Sequence, residues 1–285
     1  LWSEDEVRGR RLVEEVLAEY RRIDERMSTF KTSSEISQIN RAAALGPVVT
    51  SDELFGLISR ALELSVSSEG AFDITYDSVG YLYDFRARQR PSDGEIGERL
   101  AAVDYRHVIL DHEARTIAFS EPGVRINLGG IAKGYAIERG AAILKAAGVE
   151  YALLNAGGDT RVIGDRRGQP WIVGIRHPRA DDQVVTRLPL VDEAISTSGD
   201  YERYFEEDGR RYHHIINPVT GAPIEGVLSV TVIGPDATMT DGLSTTLFVL
   251  GVEPGLAFIE SLPAYEAIVV DATGRLSYSS GLVTP

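Results

Sequence analysis

Residues 126–135 read Ile126-Asn127-Leu128-Gly129-Gly130-Ile131-Ala132-Lys133-Gly134-Tyr135, and this stretch decides the fold. An apolar run leads into two adjacent glycines, and apolar residues then recur at helical spacing at Ile137, Ala141 and Leu144. A strand that enters a Gly-Gly turn and opens a helix aims unpaired backbone N–H groups and the positive end of the helix dipole at one point. Lys133 adds a positive charge there. The stretch predicts a phosphate or pyrophosphate cradle; the alternative is a strand–turn–helix whose glycines serve packing alone.

The composition indicates a globular protein with an acidic balance. The chain has 285 residues, 43% of them hydrophobic, which is enough to bury a sizeable core in one large domain or two small ones. The formal net charge of −14 argues against a nucleic-acid partner, because binding to a phosphate backbone requires a basic face. An anionic ligand would need a local positive source, such as a helix N-terminus, a lysine or a bound divalent cation.

Cysteine is absent from the chain, which excludes disulfides, thiolate nucleophiles and cysteine-ligated metal sites. No apolar run approaches the ~20 residues that span a bilayer. Residues 1–11 are charged and lack the apolar segment of a signal peptide, so we expect any export signal or anchor to be missing from this chain. None of these properties indicates a compartment.

Periodicity and turn signals predict a mixture of helices and strands. Helices are expected over roughly the first 25 residues, at 35–40, from 52 to near 70, from about 131, at 236–250 and at 253–261. Strands are expected at 107–111, 116–120, 151–155, 171–176, 184–190, 193–197, 201–205, 211–216, 228–233, 266–270 and 276–279. Residues 84–100 are polar and Arg-rich and are expected to form a surface excursion. The order lacks a regular βαβ alternation, which favours an α+β fold over a doubly wound sheet.

Asp241 and Thr245 lie four residues apart on the predicted helix 236–250, so they share one face. With Ser244 they offer one carboxylate and two hydroxyls, which are hard oxygen ligands suited to Mg²⁺. Spacing alone favours a structural interpretation, because Asp in a first turn stabilises the helix dipole and Ser or Thr often bonds back to the backbone.

His213 and His214 stand side by side at a predicted strand end, before a turn rich in proline and glycine. Adjacent strand residues point to opposite faces, so the two cannot readily ligate one metal. Either histidine is a candidate general base with a pKa suited to neutral pH, and either could instead bond a turn carbonyl.

Three other segments carry polar groups at unusual places. Ser196–Asp200 is a hydroxyl-rich turn after a strand, and such a turn could bind phosphate or ring edges. Asn155–Asp159 repeats the glycine pair of the opening stretch. Asp73 lies between Phe72 and Ile74, where an acidic residue is unexpected in a core strand. None of these segments decides a function alone.

Together the segments resemble the ApbE family of FAD:protein FMN transferases. The matching motifs occur in family order over nearly the whole chain. They are Met27–Phe30 with Ser34–Ile36 and Asn40, Gly70–Thr75, Asn127–Tyr135, Asn155–Asp159, Ser196–Asp200, His214–Pro218 with Thr220 and Gly221, and Asp241 with Thr245. This ordered set is far more specific than any one motif.

The resemblance implies a single α+β domain over residues 1–285, T-fold-related, with mixed and antiparallel sheets, packed helices and a deep FAD cleft. It implies Mg²⁺-dependent transfer of the FMN moiety of FAD to a Thr or Ser hydroxyl of a target protein, with release of AMP. Such a reaction requires in-line positioning and charge neutralisation, which a metal, a helix N-terminus and one base can supply.

The family's functional residues carry over onto matching positions of this chain. His214 takes the place of the general base. The metal ligands fall on Asp241, which is thereby also catalytic, on Thr245 and Ser244, and on the carbonyl of Gly130. The FAD contacts fall on Phe30, Ala71, Phe72, Asp73, Asn127, Gly129, Lys133, Gly157, Gly158, Asp159, Thr197, Ser198, Gly199 and Ile215.

The chain also departs from the family pattern. It starts at the first helix, so we expect the family's preceding strand, with its Met-Gly-Thr signature, to be absent. Phe30 stands where a tyrosine is common, and Asn127 and Asn217 replace frequent aspartates. The hydroxyl missing at Phe30 motivates a second hypothesis, an FAD pyrophosphatase in which water is the acceptor. A third hypothesis is a non-catalytic FAD-binding protein.

The resemblance also implies a partner and a location. The family's known acceptors are subunits of membrane redox complexes outside the cytoplasm. An exported protein, periplasmic or on the outer face of the cytoplasmic membrane, is therefore expected.

Overall fold

The computed structural model describes residues 1–283, with the side chain of Asp181 excepted. Its α-helices are α1 (Glu6–Met27), α2 (Glu35–Ala42), α3 (Asp52–Ser67), α4 (Asp77–Gly80), α5 (Asp93–Leu100), α6 (Ala132–Ala146), α7 (Ala237–Leu250) and α8 (Val252–Glu260). Its strands are β1 (Val48–Val49), β2 (Val108–Asp111), β3 (Thr116–Phe119), β4 (Ala152–Ala156), β5 (Asp159–Ile163), β6 (Trp171–His177), β7 (Ala180–Leu190), β8 (Ala194–Gly199), β9 (Tyr204–Glu207), β10 (Arg210–His213), β11 (Val227–Gly234), β12 (Glu266–Asp271) and β13 (Leu276–Tyr278). None of the helices within residues 1–283 is long and apolar enough to cross a bilayer.

A six-stranded antiparallel sheet forms the centre of the fold, in the order β13-β12-β11-β8-β5-β4. Successive side chains of a strand point to opposite faces, so the central strands supply two separate cores. In β8, Ala194 packs with residues of α1 and α6, whereas Ile195 packs with residues of the β6–β7 hairpin. The sheet therefore separates a helical layer from a hairpin layer.

The largest core lies on the helical side, where α3, α7 and the small sheet β1-β3-β2 meet. Ile58 of α3, Ile117 of β3 and Phe248 of α7 are fully buried there. Helix α3 begins where the Ser51 hydroxyl accepts the N–H of Leu54, an N-cap typical of serine. The apolar periodicity of α3 then faces this core, as amphipathic helices do.

Helices α6 and α7 approach each other closely at one glycine. A Cβ added at Gly134 would lie 2.0 Å from the carbonyl oxygen of Ala237, and 2.8 Å from the Cβ of Asp241. The obstacle is mainly backbone, which cannot move aside as a flexible side chain could. Gly134 is therefore required for the distance between the two helices, and this distance positions Asp241 beside the start of α6.

The predicted α+β class is confirmed, and most predicted helices and strands are present at nearly the expected bounds. Residues 84–100 were expected to be a surface excursion, but they contain α5, which a capping box between Ser92 and Glu95 begins. The short length of α5 and its lack of buried residues explain why periodicity did not indicate it. Strand β5 was also missed, because it is buried on both faces and shows no alternation.

We expect Gly134→Ala to destabilise the fold, because the new methyl group meets the backbone of Ala237. The free energy of unfolding should fall by about 1–3 kcal/mol or more, the usual cost of overpacking. Urea denaturation measures it.

Gly56→Ala is the matched control, because Gly56 also lies inside a helix and a Cβ there has nothing within 4 Å. This control should stabilise the protein by about 0.5–1 kcal/mol through helix propensity. Equal effects of the two substitutions would contradict the close approach of α6 and α7.

Candidate functional site

A cavity of about 440 Å³ opens where the start of α6, the end of β8, the segment after β10 and the second half of α7 come together. The residues that line it are Ala71, Phe72, Asp73, Ile74, Tyr76, Asn127, Gly129, Gly130, Lys133, Gly157, Thr197, Ser198, Gly199, Glu202, Arg203, His214, Ile215, Ile216, Pro218, Thr245 and Val249. Segments far apart in the sequence thus form one site. Its size suits a small-molecule ligand.

Lys133 lies between two buried carboxylates at the base of this cavity. Its Nζ is 2.6 Å from Oδ1 of Asp241 and 3.0 Å from Oδ2 of Asp159. Both aspartates are 1% exposed. The backbone N–H of Thr197 donates to the other oxygen of Asp159 at 3.2 Å. With both carboxylates ionised, this cluster carries one negative charge more than Lys133 neutralises.

Burial and mutual repulsion determine the pKa values in this cluster. Burial raises the pKa of Asp159, the charge of Asp241 raises it further, and Lys133 opposes both effects. Burial alone would lower the pKa of Lys133, but the two carboxylates outweigh it and the pKa is raised above its ordinary value. Lys133 is therefore fully charged at neutral pH, and its charge is directed at aspartates of the protein itself.

Most N–H groups of the predicted cradle at the start of α6 are already paired within the protein. The N–H groups of Gly129, Ile131, Ala132 and Gly134 all have acceptors within the chain. That of Gly134 donates to Oδ2 of Asp241 at 2.9 Å, so Asp241 satisfies the helix terminus. Gly129, Gly130 and Lys133 still line the cavity. The glycine pair gives close access to the backbone, and the N–H groups of Gly130 and Lys133 have no acceptor among residues 1–283, so the cradle stays a prediction.

Oxygen atoms suited to a hard cation meet at the α7 wall of the cavity. Thr245 lines the cavity. A Cβ added at Gly130 would lie 3.2 Å from Oγ1 of Thr245, so the Gly130 backbone is close to the Thr245 hydroxyl. The Oγ of Ser198 lies 3.2 Å from the same hydroxyl. The nearby Asp241 carboxylate has lone pairs beyond its two observed contacts. This set fits Mg²⁺, which prefers oxygen ligands.

The usual signature of a metal site is not present: within the described residues no group of three or more His, Asp or Glu could hold an ion. The predicted donors explain this, because they are one carboxylate, hydroxyls and a backbone carbonyl. Ser244 does not line the cavity; its hydroxyl lies 2.8 Å from that of Ser198 and donates to the carbonyl of Asp241 at 2.9 Å. Ser244 therefore holds Ser198 and the helix backbone in place.

Asn127 fixes the turn that carries Gly129 and Gly130. Its side-chain oxygen accepts the N–H of Gly129 at 2.8 Å, and its side-chain nitrogen donates to the Asp77 carboxylate at 3.0 Å. Burial raises the pKa of Asp77, whereas the hydrogen bond from Asn127 and the charge of Arg125 lower it. Because an amide both donates and accepts without a change of protonation, Asn127 can join these two partners at neutral pH.

The two histidines have different surroundings, which the sequence left open. His213 is buried, and its Nε2 donates to the carbonyl of Ile224 at 2.8 Å, while its Nδ1 accepts the N–H of Ile215 at 3.3 Å. His214 lines the cavity, and its Nδ1 is buried without a hydrogen-bond partner among residues 1–283. His213 is thus the histidine that bonds a turn carbonyl, and His214 is available to a ligand.

The pKa of His214 differs from the near-neutral value that its residue type predicted. Burial lowers the pKa to about 3, and the positive charges of Arg203 and Lys133 contribute to the lowering. The ring of His214 is therefore neutral throughout the physiological range in the unliganded protein. A neutral imidazole has the lone pair that a base needs, and the negative charge of a bound anion would raise its pKa towards the neutral range in which a base is most effective.

Four further predicted residues lie outside the lining of this cavity. Asp241 and Asp159 lie beneath it, in contact with Lys133, as described above. Gly158 lines a neighbouring cavity. Phe30 is 85% exposed and lines neither cavity. The predicted contact of Phe30 with the ligand therefore has no support in its position.

Sequence reasoning missed seven residues that line the cavity. They are Ile74, Tyr76, Glu202, Arg203, Ile216, Pro218 and Val249. Ile74, Ile216 and Pro218 lie inside the motifs Gly70–Thr75 and His214–Pro218 but were not singled out as site residues. The other four lie within four positions after a predicted residue or motif, so extending each motif would have found them.

The whole chain is similar to proteins of one known family. The model of the ApbE family matches residues 3–269. The chain belongs to the ApbE family. Its ApbE relatives include the FAD:protein FMN transferase of Klebsiella pneumoniae, 34% identical over 284 residues, with 98% of this chain and 87% of that protein covered. The FAD:protein FMN transferase of Vibrio cholerae is 35% identical over 284 residues, with 96% of this chain and 82% of that protein covered.

Solved ApbE structures share the fold. The crystal structure of the ApbE protein from Thermotoga maritima superposes with a TM-score of 0.91 at 35% identity, covering 98% of this chain and 92% of that chain. The flavin transferase ApbE from Vibrio cholerae gives a TM-score of 0.84 at 32% identity, covering 95% of this chain and 89% of that chain. The arrangement of helices and antiparallel sheet is therefore that of the ApbE fold.

We expect Asn127→Asp to destabilise the protein at neutral pH, because it places a second carboxylate against Asp77. The free energy of unfolding at pH 7 should fall by about 1–3 kcal/mol, the cost of a broken buried hydrogen bond. The folded-state pKa of the carboxyl pair would lie above the unfolded value of about 4, so the cost is present at pH 7 and shrinks as the pH falls towards 4. Urea denaturation at several pH values, each against the wild type, measures it.

The double variant Asp77→Asn with Asn127→Asp restores one donor and one acceptor at this contact. It should recover much of the lost stability at pH 7. No recovery, or a cost independent of pH, would contradict the assigned role of the Asn127 amide.

We expect His214 to remain neutral from pH 8 to pH 5 in the FAD-free protein, because burial lowers its pKa to about 3. Nitrogen chemical shifts of the imidazole rings, followed by NMR against pH, measure this, with His214→Gln to assign the signal. An ordinary histidine titrates near pH 6.5, so a midpoint of about 6 to 7 for His214 would contradict the structure.

Proposed function

We propose that this chain is an FAD:protein FMN transferase, which moves the FMN moiety of FAD to a Thr or Ser hydroxyl of an acceptor protein. The acceptor oxygen attacks the phosphorus on the FMN side of the pyrophosphate and forms a phosphodiester. The bond from that phosphorus to the bridging oxygen breaks, AMP leaves, and the hydroxyl proton passes to a base. Atoms and charge balance without any oxidant or reductant.

The observation that carries this proposal is the meeting of His214, the oxygen donors of Thr245 and Gly130, and the Lys133 cluster at one cavity. The relatives are named FAD:protein FMN transferases, and such a transfer would use these three parts as a base, a place for a cation and a cleft for FAD. Among residues 1–283, Nδ1 of His214 has no hydrogen-bond partner and so no hydroxyl nucleophile of this chain bonded to it, which favours an external acceptor.

On this proposal His214 accepts the proton of the acceptor hydroxyl. Its ring is neutral, and the N–H of its own backbone donates to the carbonyl of Arg203, which fixes the segment. His213, the residue before it, anchors the same segment, because both of its ring nitrogens are hydrogen-bonded to the backbone. Arg203 lines the same cavity and offers positive charge to the pyrophosphate.

We further propose that Asp241, Thr245 and the carbonyl of Gly130 hold Mg²⁺. When bound there, the ion would neutralise charge on the pyrophosphate. With both aspartates ionised, the Lys133 cluster carries an excess negative charge, which supports a cation at this place. Lys133 keeps the carboxylate of Asp241 oriented, and Ser244 orients Ser198 beside Thr245.

The two other hypotheses have less support. The pyrophosphatase hypothesis depended on a hydroxyl missing near the site at Phe30, but the side chain of Phe30 is exposed and does not line the cavity. A non-catalytic FAD-binding protein would not need a neutral, unpartnered histidine in the cavity wall. The names of the relatives also favour transfer to protein.

The acceptor class and the location rest on resemblance to the family. We propose an acceptor that belongs to a membrane redox complex, and an exported enzyme, periplasmic or on the outer face of the cytoplasmic membrane. Fractionation of the native cells tests the location, and recovery of the enzyme with cytoplasmic markers would contradict it.

To test the proposed function, the protein is incubated with FAD, Mg²⁺ and an acceptor domain, and AMP and the intact mass of the acceptor are measured in the same sample. We expect AMP release, matched by a gain of one FMN in the intact mass of an acceptor domain that carries the family's target motif. AMP without the mass gain would establish the pyrophosphatase instead, and FAD binding without AMP would leave only a flavin-binding protein.

We expect Asp241→Asn to lower Mg²⁺-dependent transfer by at least about 100-fold, because a lost metal carboxylate removes several kcal/mol of transition-state stabilisation. Rates are measured over a range of Mg²⁺ concentrations at saturating FAD.

Asp236→Asn is the matched control on the same helix. Asp236 caps α7 through the N–H of Met239 and pairs with Arg60, and asparagine caps a helix about as well. This control should keep nearly full activity. Full activity of Asp241→Asn at low Mg²⁺ would show that the proposed ligand is wrong.

A further inference from the structure

A second cavity of about 290 Å³ adjoins the first. The two share Gly157, Thr197 and Glu202 in their linings, so the second cavity leads into the site. The other residues that line it are Gly158, Val173, Gly174, Ile175, Arg176, Ile195 and Tyr201. We call this second cavity the β6 groove.

Four consecutive residues of β6, Val173–Arg176, line the groove. Neighbouring side chains of a strand point to opposite faces, so a cavity on one face would be lined by alternate residues only. Gly174 has no side chain, and a Cβ there would point at Val184 of β7, so it meets the groove through its main chain. The groove therefore runs along the edge of β6.

This edge of β6 carries unpaired main-chain groups. β6 pairs with β7 and with no other strand in the described part of the chain. In an antiparallel pair, alternate residues direct both N–H and C=O away from the partner strand. Within residues 1–283 no hydrogen bond joins the main chain of 172–176 to anything outside the hairpin. Such an edge can accept another strand.

The opposite wall leaves room for a polypeptide. Gly157 and Gly158 have φ of 60° and 97°, values that favour glycine, and a Cβ at Gly158 would have nothing within 4 Å. The charged wall residues Arg176 and Glu202 pair with each other, and the Arg176 guanidinium lies 4.6 Å from the centre of the Tyr201 ring. No net charge is left in the wall to attract a phosphate.

We propose that the β6 groove binds the Thr- or Ser-bearing segment of the acceptor protein, in extended form, as an added strand on β6. This inference rests on the proposed function and specifies how the enzyme binds its acceptor protein. Main-chain hydrogen bonds to a strand edge provide affinity with little demand on sequence, and the shared residues direct the bound segment towards His214. The FAD then occupies the larger cavity.

The absence of cysteine from the chain allows a direct test by site-specific blocking. Arg176→Cys places one thiol in the groove, and a bulky maleimide then obstructs it. Arg187→Cys is the matched control, because Arg187 lies on β7, pairs in register with Gly174 and lines neither cavity. Each variant is compared before and after labelling, for FAD affinity by flavin fluorescence and for transfer to the acceptor domain.

We expect labelling of Arg176→Cys to raise the KM for the acceptor by at least about tenfold, since several main-chain hydrogen bonds are lost, with FAD affinity unchanged within about twofold. Labelling of Arg187→Cys should change neither quantity. An unchanged acceptor KM would overturn the proposal. A loss of FAD affinity on labelling Arg176→Cys would also overturn it, and would assign the groove to the adenosine half of FAD.

Hydrogen exchange of the wild-type protein tests docking without relying on turnover. A capped peptide of about ten residues that contains the acceptor threonine should slow exchange in 171–177 and leave 180–190 unchanged. Equal exchange with and without the peptide would overturn the groove assignment. Absence of transfer together with protection of β6 would reject the proposed function and retain the groove as a peptide site.

Discussion

The carboxylate of Asp241 joins the two helices on which the site depends. One oxygen accepts the N–H of Gly134 at the start of α6, and the other contacts the ammonium of Lys133 at 2.6 Å. This contact requires α7 to lie close to α6, which the missing side chain of Gly134 permits. The same carboxylate therefore stabilises a helix terminus and lies at the base of the cavity. The Asp241 side chain thus contributes both to the fold and to the site.

The charge balance of this junction explains how an acidic protein could bind an anionic substrate. Lys133 is neutralised by Asp241 and Asp159, so it adds little attraction for a pyrophosphate. Under the proposed function, the positive charge comes from Arg203 in the cavity wall and from a cation at the oxygen donors around Thr245. The net charge of −14 then keeps nucleic acids away without excluding FAD.

Local sequence patterns predicted the helices and hairpins whose formation depends on residues close together in the chain. The periodicity of α1, α3 and α7 indicated helices, and the Asp208-Gly209 turn indicated the β9–β10 hairpin. Long-range packing determined the rest. Residue patterns alone did not distinguish His213 from His214, and only the resemblance to the family selected His214. The use of the α6 terminus by Asp241 was not predicted, because it depends on Gly134, which only the tertiary structure brings near.

The most direct test of this account is a double-mutant cycle in urea between Lys133→Met and Asp241→Asn. If the junction is as described, each single variant loses stability, and the coupling free energy between the two sites is about 1–3 kcal/mol, as for a partly buried ion pair with a shared hydrogen-bond network. A coupling energy near zero, or an Asp241→Asn variant as stable as the wild type, would contradict it.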